Sequence, residues 1–137
     1  MNAITRISLF IISLLVVGCA SQSTVENSTG GITKVFEHAY DDVRPATLEA
    51  VQGLNVNINK TEPEGNGTRI IFSKSISAFS WGEVGRVSIK PLDETNTSVT
   101  VDTEKRSKYQ ITGTEESEFA EEIFQGIEES LNRNINE

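Results

Sequence analysis

Apolar and polar residues alternate through the middle of the chain and recur at three- to four-residue intervals on either side of it. Near the start of the ordered pattern, Thr33 to Ala39 (TKVFEHA) reads as a strand with imperfect alternation. From Tyr40 to Gln52 the period changes, with Tyr40, Val43, Thr47, Ala50, Val51 and Leu54 at helical spacing. Asp41 is the expected N-cap, and Gly53 with Leu54 the expected stop. Pro45 is the awkward residue, because a proline beyond the first turn clashes with the carbonyl four residues back.

Four extended segments follow. Leu54, Val56 and Ile58 alternate with asparagines, and Glu62 to Gly67 (EPEGNG) has the composition of a turn. Thr68 to Ile76 pairs back on the preceding strand. Val84 to Leu92 sets Val87 and Ile89 against Arg86, Ser88 and Lys90. After a turn at Asp93 to Asn96, Ser98 to Lys105 sets Val99, Val101 and Thr103 against Thr100, Asp102 and Glu104. Such alternation predicts antiparallel strands with one face buried and one wet. The chain closes with a helix from about Glu115 to Asn134, whose stripe is Phe119, Ile123, Ile127 and Leu131 flanked by Ala120 and Phe124. Thr114 is positioned to cap it, and Gly126 inside it suggests a close approach to the sheet. The predicted fold is α+β: a two-layer β-α-β-β-β-β-α domain over residues 32–137, an antiparallel sheet with both helices on one face.

The N-terminal 31 residues follow neither period. Ile7 to Val17 (ISLFIISLLVV) is apolar apart from two serines, and the only charged side chain before it is Arg6. A membrane-spanning helix needs about 20 apolar residues. A basic start, a short apolar core and a small residue at Gly18 instead match a secretory signal peptide over residues 1–18. Residues 20–31 (ASQSTVENSTGG) have little to bury and read as a flexible linker.

The single cysteine, Cys19, stands at the junction. Val16-Val17-Gly18-Cys19 resembles the lipobox of bacterial lipoproteins, with valine where leucine is commoner at the first position. The resemblance implies cleavage between Gly18 and Cys19, a diacylglyceryl group on the Cys19 sulfur, and a new amine open to acylation. Two or more chains hold a protein stably at a membrane, whereas one is marginal. A thioether at Cys19 leaves the mature chain no thiol for a disulfide, a nucleophile or a metal. Ala20 and Ser21, rather than aspartate, follow the cysteine, which under the Gram-negative sorting rule implies the outer membrane, facing the periplasm. The layout behind the lipobox also resembles the small α+β domains of bacterial envelope lipoproteins, the class of the assembly-machinery accessory BamC. That likeness rests on element order and on AYDDV…ATLEAVQGL running into an alternating strand. It implies an envelope accessory role and no functional residue.

Charge narrows the partners. The formal net charge is −8, and about −9 once Arg6 leaves with the signal, which disfavours nucleic acid and anionic lipid surfaces. Membrane attachment is therefore expected through the lipid alone. Gly82-Glu83-Val84-Gly85 fits the G-x-x-G loop of KH nucleic-acid domains by letter only, and its acidic centre points to a turn and a strand entry instead.

Candidate chemistry is sparse. His38, the only histidine, precedes Tyr40-Asp41-Asp42. With no G-x-S-x-G elbow and no second histidine it reads as a strand-end residue. Glu118 and Glu122 lie one helical turn apart, but two helical carboxylates without loop carbonyls make a poor cation site, and a solvated acidic face that suits a basic partner is the plainer reading. Three Asn-x-Ser/Thr triplets, at Asn27, Asn66 and Asn96, would be inert in a bacterial envelope. Ser77 to Gly85 (SAFSWGEVG) holds the only tryptophan, and Phe79 with Trp81 is the candidate partner-binding patch.

These observations favour a non-enzymatic, lipid-anchored accessory or structural binding module with an envelope protein as partner. No cofactor, metal or small-molecule ligand is expected beyond the lipid on Cys19. The alternative is a carrier for a lipid or other apolar ligand between sheet and final helix, with Phe119, Phe124 and Gly126 lining the cavity.

Overall fold

Seven elements follow one another in the order β-α-β-β-β-β-α: β1 (Ile32–Phe36), α1 (Tyr40–Gly53), β2 (Asn57–Glu64), β3 (Gly67–Lys74), β4 (Glu83–Pro91), β5 (Thr97–Lys105) and α2 (Glu116–Ile135). They come from a computed structural model that describes residues 30–75, 82–105 and 116–135. The strands form one sheet in the order β1-β5-β4-β3-β2, every neighbouring pair antiparallel. The fold is α+β, as the periodicity implies.

Local chemistry accounts for most boundaries and corrects some. The first helix starts at Tyr40 with Ala39 as its N-cap, and no side chain caps it. Asp41 lies inside the first turn, where its charge suits the helix dipole. Pro45 stays within the helix. It has no N–H to offer the Asp41 carbonyl, and both residues are exposed, so water can serve that carbonyl. At the other end Leu54 donates its N–H to the Val51 carbonyl and packs on the core. Strand β2 runs on to Glu64, so the expected six-residue turn shrinks to Gly65 and Asn66. Between β4 and β5, Asp93 Oδ1 accepts from the backbone N–H groups of Thr95 and Asn96 at 2.8 Å each. The Thr95 backbone and Asn96 side-chain hydrogen bonds hold the Asp93 carboxyl below its usual range.

Register assigns the faces. Ile70 opposes Val87, Val87 opposes Val101, and Ile89 opposes Val99, all turned toward the helices. Phe36, Phe72, Phe119 and Phe124 fill the space between the layers. Phe36 meets Phe124 edge-on at 6.1 Å, and Phe72 meets Phe119 at 5.7 Å. Each such side chain contributes roughly 1.5–3 kcal/mol by leaving water. Phe72 opposes Gly85, and its ring occupies the volume that a side chain there would need.

The other face departs from expectation. It was expected to be wet, yet Ile71 and Val84 on that side are 0% and 1% exposed, and Arg86 and Asp102 are buried as well. Ile71 stands in register between Lys60 and Arg86. Long flanking side chains of that kind cover apolar surface with their stems. Arg86 donates to Asp102 Oδ2 at 3.2 Å and toward the Gly30 carbonyl at 3.4 Å. At Arg86 and Asp102 a polar letter on an alternate position marks a buried, paired residue, while Lys90 and Glu104 on the same face are exposed.

Candidate functional site

Helix α2 is amphipathic, and its two sides do different things. Phe119, Ile123, Ile127 and Leu131 go to the core, while Glu121, Glu122, Glu128 and Glu129 are exposed. Glu128 accepts from Lys34 on β1, and Glu49 of α1 takes both Ser130 and Arg133. Glu121 and Glu122 make no hydrogen bond or ion pair among the described residues. Among the described residues the middle of the helix thus presents two exposed carboxylates without an ion-pair partner. Among the described residues no group of three or more His, Cys, Asp or Glu is arranged to hold a metal ion.

Beside that acidic stretch lies an open groove of about 530 Å³ between the end of α1 and α2. Leu54, Val56 and Phe119 give it an apolar floor, and Glu122, Glu129 and Lys74 stand at its rim. Lys74 Nζ lies 5.3 Å from the centre of the Phe119 ring, so the cation shields the one aromatic in the floor. Gly126 lines the groove because the helices nearly touch there. A β-carbon on Gly126 would fall 2.9 Å from Ala50 Cβ. The close approach read from this glycine is real, but its partner is α1 and not the sheet. Of the three residues expected to line an apolar cavity, Phe119 and Gly126 border this groove and Phe124 does not. Phe124 is packed against Phe36.

A smaller cleft of about 180 Å³ lies where β1 meets the second half of α2, bordered by Lys34, Phe36, His38, Glu128 and Leu131. His38 is half-buried, and its carbonyl accepts from the Thr97 hydroxyl at 3.0 Å. No hydrogen bond joins its ring to Asp41 or Asp42 among the described residues. The Tyr40 hydroxyl goes elsewhere, to Thr68 at 2.7 Å. The residues that stand together in sequence as a histidine–carboxylate set are not brought together in space.

Besides Asp93, two carboxylates have perturbed acidity. Burial works to raise the Glu64 pKa, but hydrogen bonds from Arg69 and Ser88, with the charges of Arg69 and Lys90, outweigh it and hold the group below the usual range. At the start of α2, burial raises the Glu116 pKa, and the neighbouring Asp102 charge adds to it. Neither carboxylate lines the groove or the cleft, and the partners of Glu64 describe a structural ion-pair network across β2, β3 and β4. Sequence reading missed that network and the Arg86–Asp102 pair, because the partners are brought together only by strand register.

Gly18, Cys19, Phe79 and Trp81 lie outside the described residues. Of the glycine pair read as a KH-like motif, Gly82 precedes β4 with φ of 91°, and Gly85 sits mid-strand under Phe72. No helix among the described residues is long and apolar enough to cross a membrane.

The chain belongs to the family described as Protein of unknown function (DUF3568), whose model matches residues 1–118. No curated protein matches the sequence. Among solved structures it is similar to the di-domain ARO/CYC StfQ from the steffimycin biosynthetic pathway, at 13% identity and a TM-score of 0.33 over 75% of this chain and 43% of that one. It is also similar to the di-domain ARO/CYC BexL from the BE-7585A biosynthetic pathway, at 17% identity and a TM-score of 0.29 over 80% of this chain and 50% of that one. The chain spans half or less of those proteins, and likenesses this distant carry no functional argument.

Proposed function

We propose that this member of the DUF3568 family is a lipid-anchored bacterial envelope protein, held at the periplasmic side of the outer membrane, that works as a non-enzymatic binding module for an envelope protein. The observation that carries the reading is Val16-Val17-Gly18-Cys19 at the end of a signal-like apolar run. The exposed carboxylates of α2 support it, since Glu121 and Glu122 have no ion-pair partner among the described residues and charge complementarity steers and selects partners. Phe79 and Trp81 are the aromatic candidates for the same contact, on sequence grounds.

The test is photo-crosslinking in living cells, with the reactive side chain at Trp81 and, separately, at Glu122. A discrete protein adduct at either position that disappears on Glu121→Lys, with Glu122→Lys added for the Trp81 probe, supports the binding module. Crosslinks to lipid alone would overturn it in favour of the carrier.

The carrier reading has one observation in its favour, the groove floored by Leu54, Val56 and Phe119. Its open, partly charged rim weighs against an apolar cargo, as does the packing of Phe124 into the core. Denaturing mass spectrometry of protein extracted from cells would detect a co-purified lipid at near-stoichiometric occupancy.

A further inference from the structure

The two edges of the sheet are built differently. Strand β2 carries Pro63, which has no N–H for a further strand, and its register slips between Ile58 and Lys60. Lys60 and Glu62 add a salt bridge at 2.6 Å on the same strand. Proline, irregular register and charge are the devices that keep an edge from pairing with another chain. Strand β1 has no proline and no register slip against β5. Of the three large hydrophobic residues exposed among the described ones, two lie on this five-residue strand, Ile32 at 39% and Val35 at 50%. The cleft of about 180 Å³ runs along the same edge, where Phe36 and Leu131 are buried, Lys34 pairs with Glu128, and Glu37 stands exposed.

We propose that the free edge of β1 is a docking site that takes an extended segment of a protein partner as a sixth strand. The inference rests on the binding-module reading and names the kind of partner segment involved. A strand added there satisfies the outward N–H and C=O groups of β1, and its alternate side chains fall on opposite faces. On the helix side one apolar side chain of the partner packs beside Ile32. On the other side the next one covers Val35. The exposed Glu37, on a chain of net charge −8, favours lysine or arginine at the flanking position. The occupant is thus an extended segment of mixed apolar and basic residues. A second copy of this chain is a poorer fit, because Lys34 lies at the centre of its own β1 and would oppose its twin.

The test is an amide-resolved NMR titration of the full mature chain, carrying Cys19→Ser to keep it soluble, with a synthetic nine-residue peptide alternating valine and lysine. The expected result is shifts and slowed hydrogen exchange at residues 32–38, with β2 unaffected. Val35→Asp should weaken binding by about tenfold or more without altering the melting temperature. A lysine peptide of equal charge interrupted by proline should leave β1 unchanged. Three results would overturn the proposal: no response at β1 at millimolar peptide, equal response to both peptides along α2 alone, or a concentration-dependent dimer that Val35→Asp dissolves. This titration does not depend on the lipid, so failure of the anchor and failure of the edge are read separately.

Discussion

A β-carbon at Gly85 would stand 2.1 Å from the Cζ atom of Phe72, closer than any packing tolerates. Gly85→Val therefore has to expel the ring from its place against Phe119, and the expected loss is about 1–3 kcal/mol, read as a lower denaturant midpoint. Glu116 makes the opposite kind of prediction. Burial and Asp102 raise its pKa in the folded state, so the unfolded chain gives up the proton first. The folded form is penalised once the pH rises past the unfolded pKa, and the penalty is complete above the folded one. Glu116→Gln should raise the melting temperature at pH 7, with the gain gone at about pH 3. Glu64 has the reverse sign. Its lowered pKa gives stability that is present above the unfolded value and lost as pH falls through the folded one. Glu64→Gln should therefore destabilise at pH 7 and converge on the wild type in acid. The acidity of neither residue is legible in the sequence. Each is set by neighbours that only the fold brings near, such as Asp102 beside Glu116 and Lys90 beside Glu64.

The elements themselves were largely readable, since period decides between helix and strand before any contact is known. Helix α2 was expected from about Glu115 to Asn134 and runs Glu116–Ile135. The strand pattern gave the β2–β3 pairing and the turn at Asp93, but not the return of β1 to the far side of β5. Period does not say what covers a face, which is why the outer side of β3 and β4 was read as wet. The same limit explains Gly126. A glycine on an apolar stripe announces that something comes close, and the sheet and α1 both pack on that stripe. Its contact with Ala50 yields a paired test. Gly126→Ala should destabilise by about 1 kcal/mol despite alanine's better helix propensity, because the two methyl groups collide. Ala50→Gly in the same chain should relieve the collision, leaving the double variant more stable than the sum of the singles, measured as a coupling in urea melts.

On the scale of the whole molecule, the α+β core is closed by its own phenylalanines, and among the described residues a groove, an acidic helix surface and the proline-free edge of β1 face outward. In the proposed reading it is the lipid on Cys19 that makes this acidic domain an envelope component, and the proposed location depends on it. The most direct measurement is the mass of the N-terminal peptide of the protein isolated from bacterial membranes. The account predicts a chain that begins at Cys19, lacks residues 1–18, and carries a diacylglyceryl group on the sulfur. An uncut N-terminus, or a peptide beginning elsewhere with Cys19 unmodified, would contradict it.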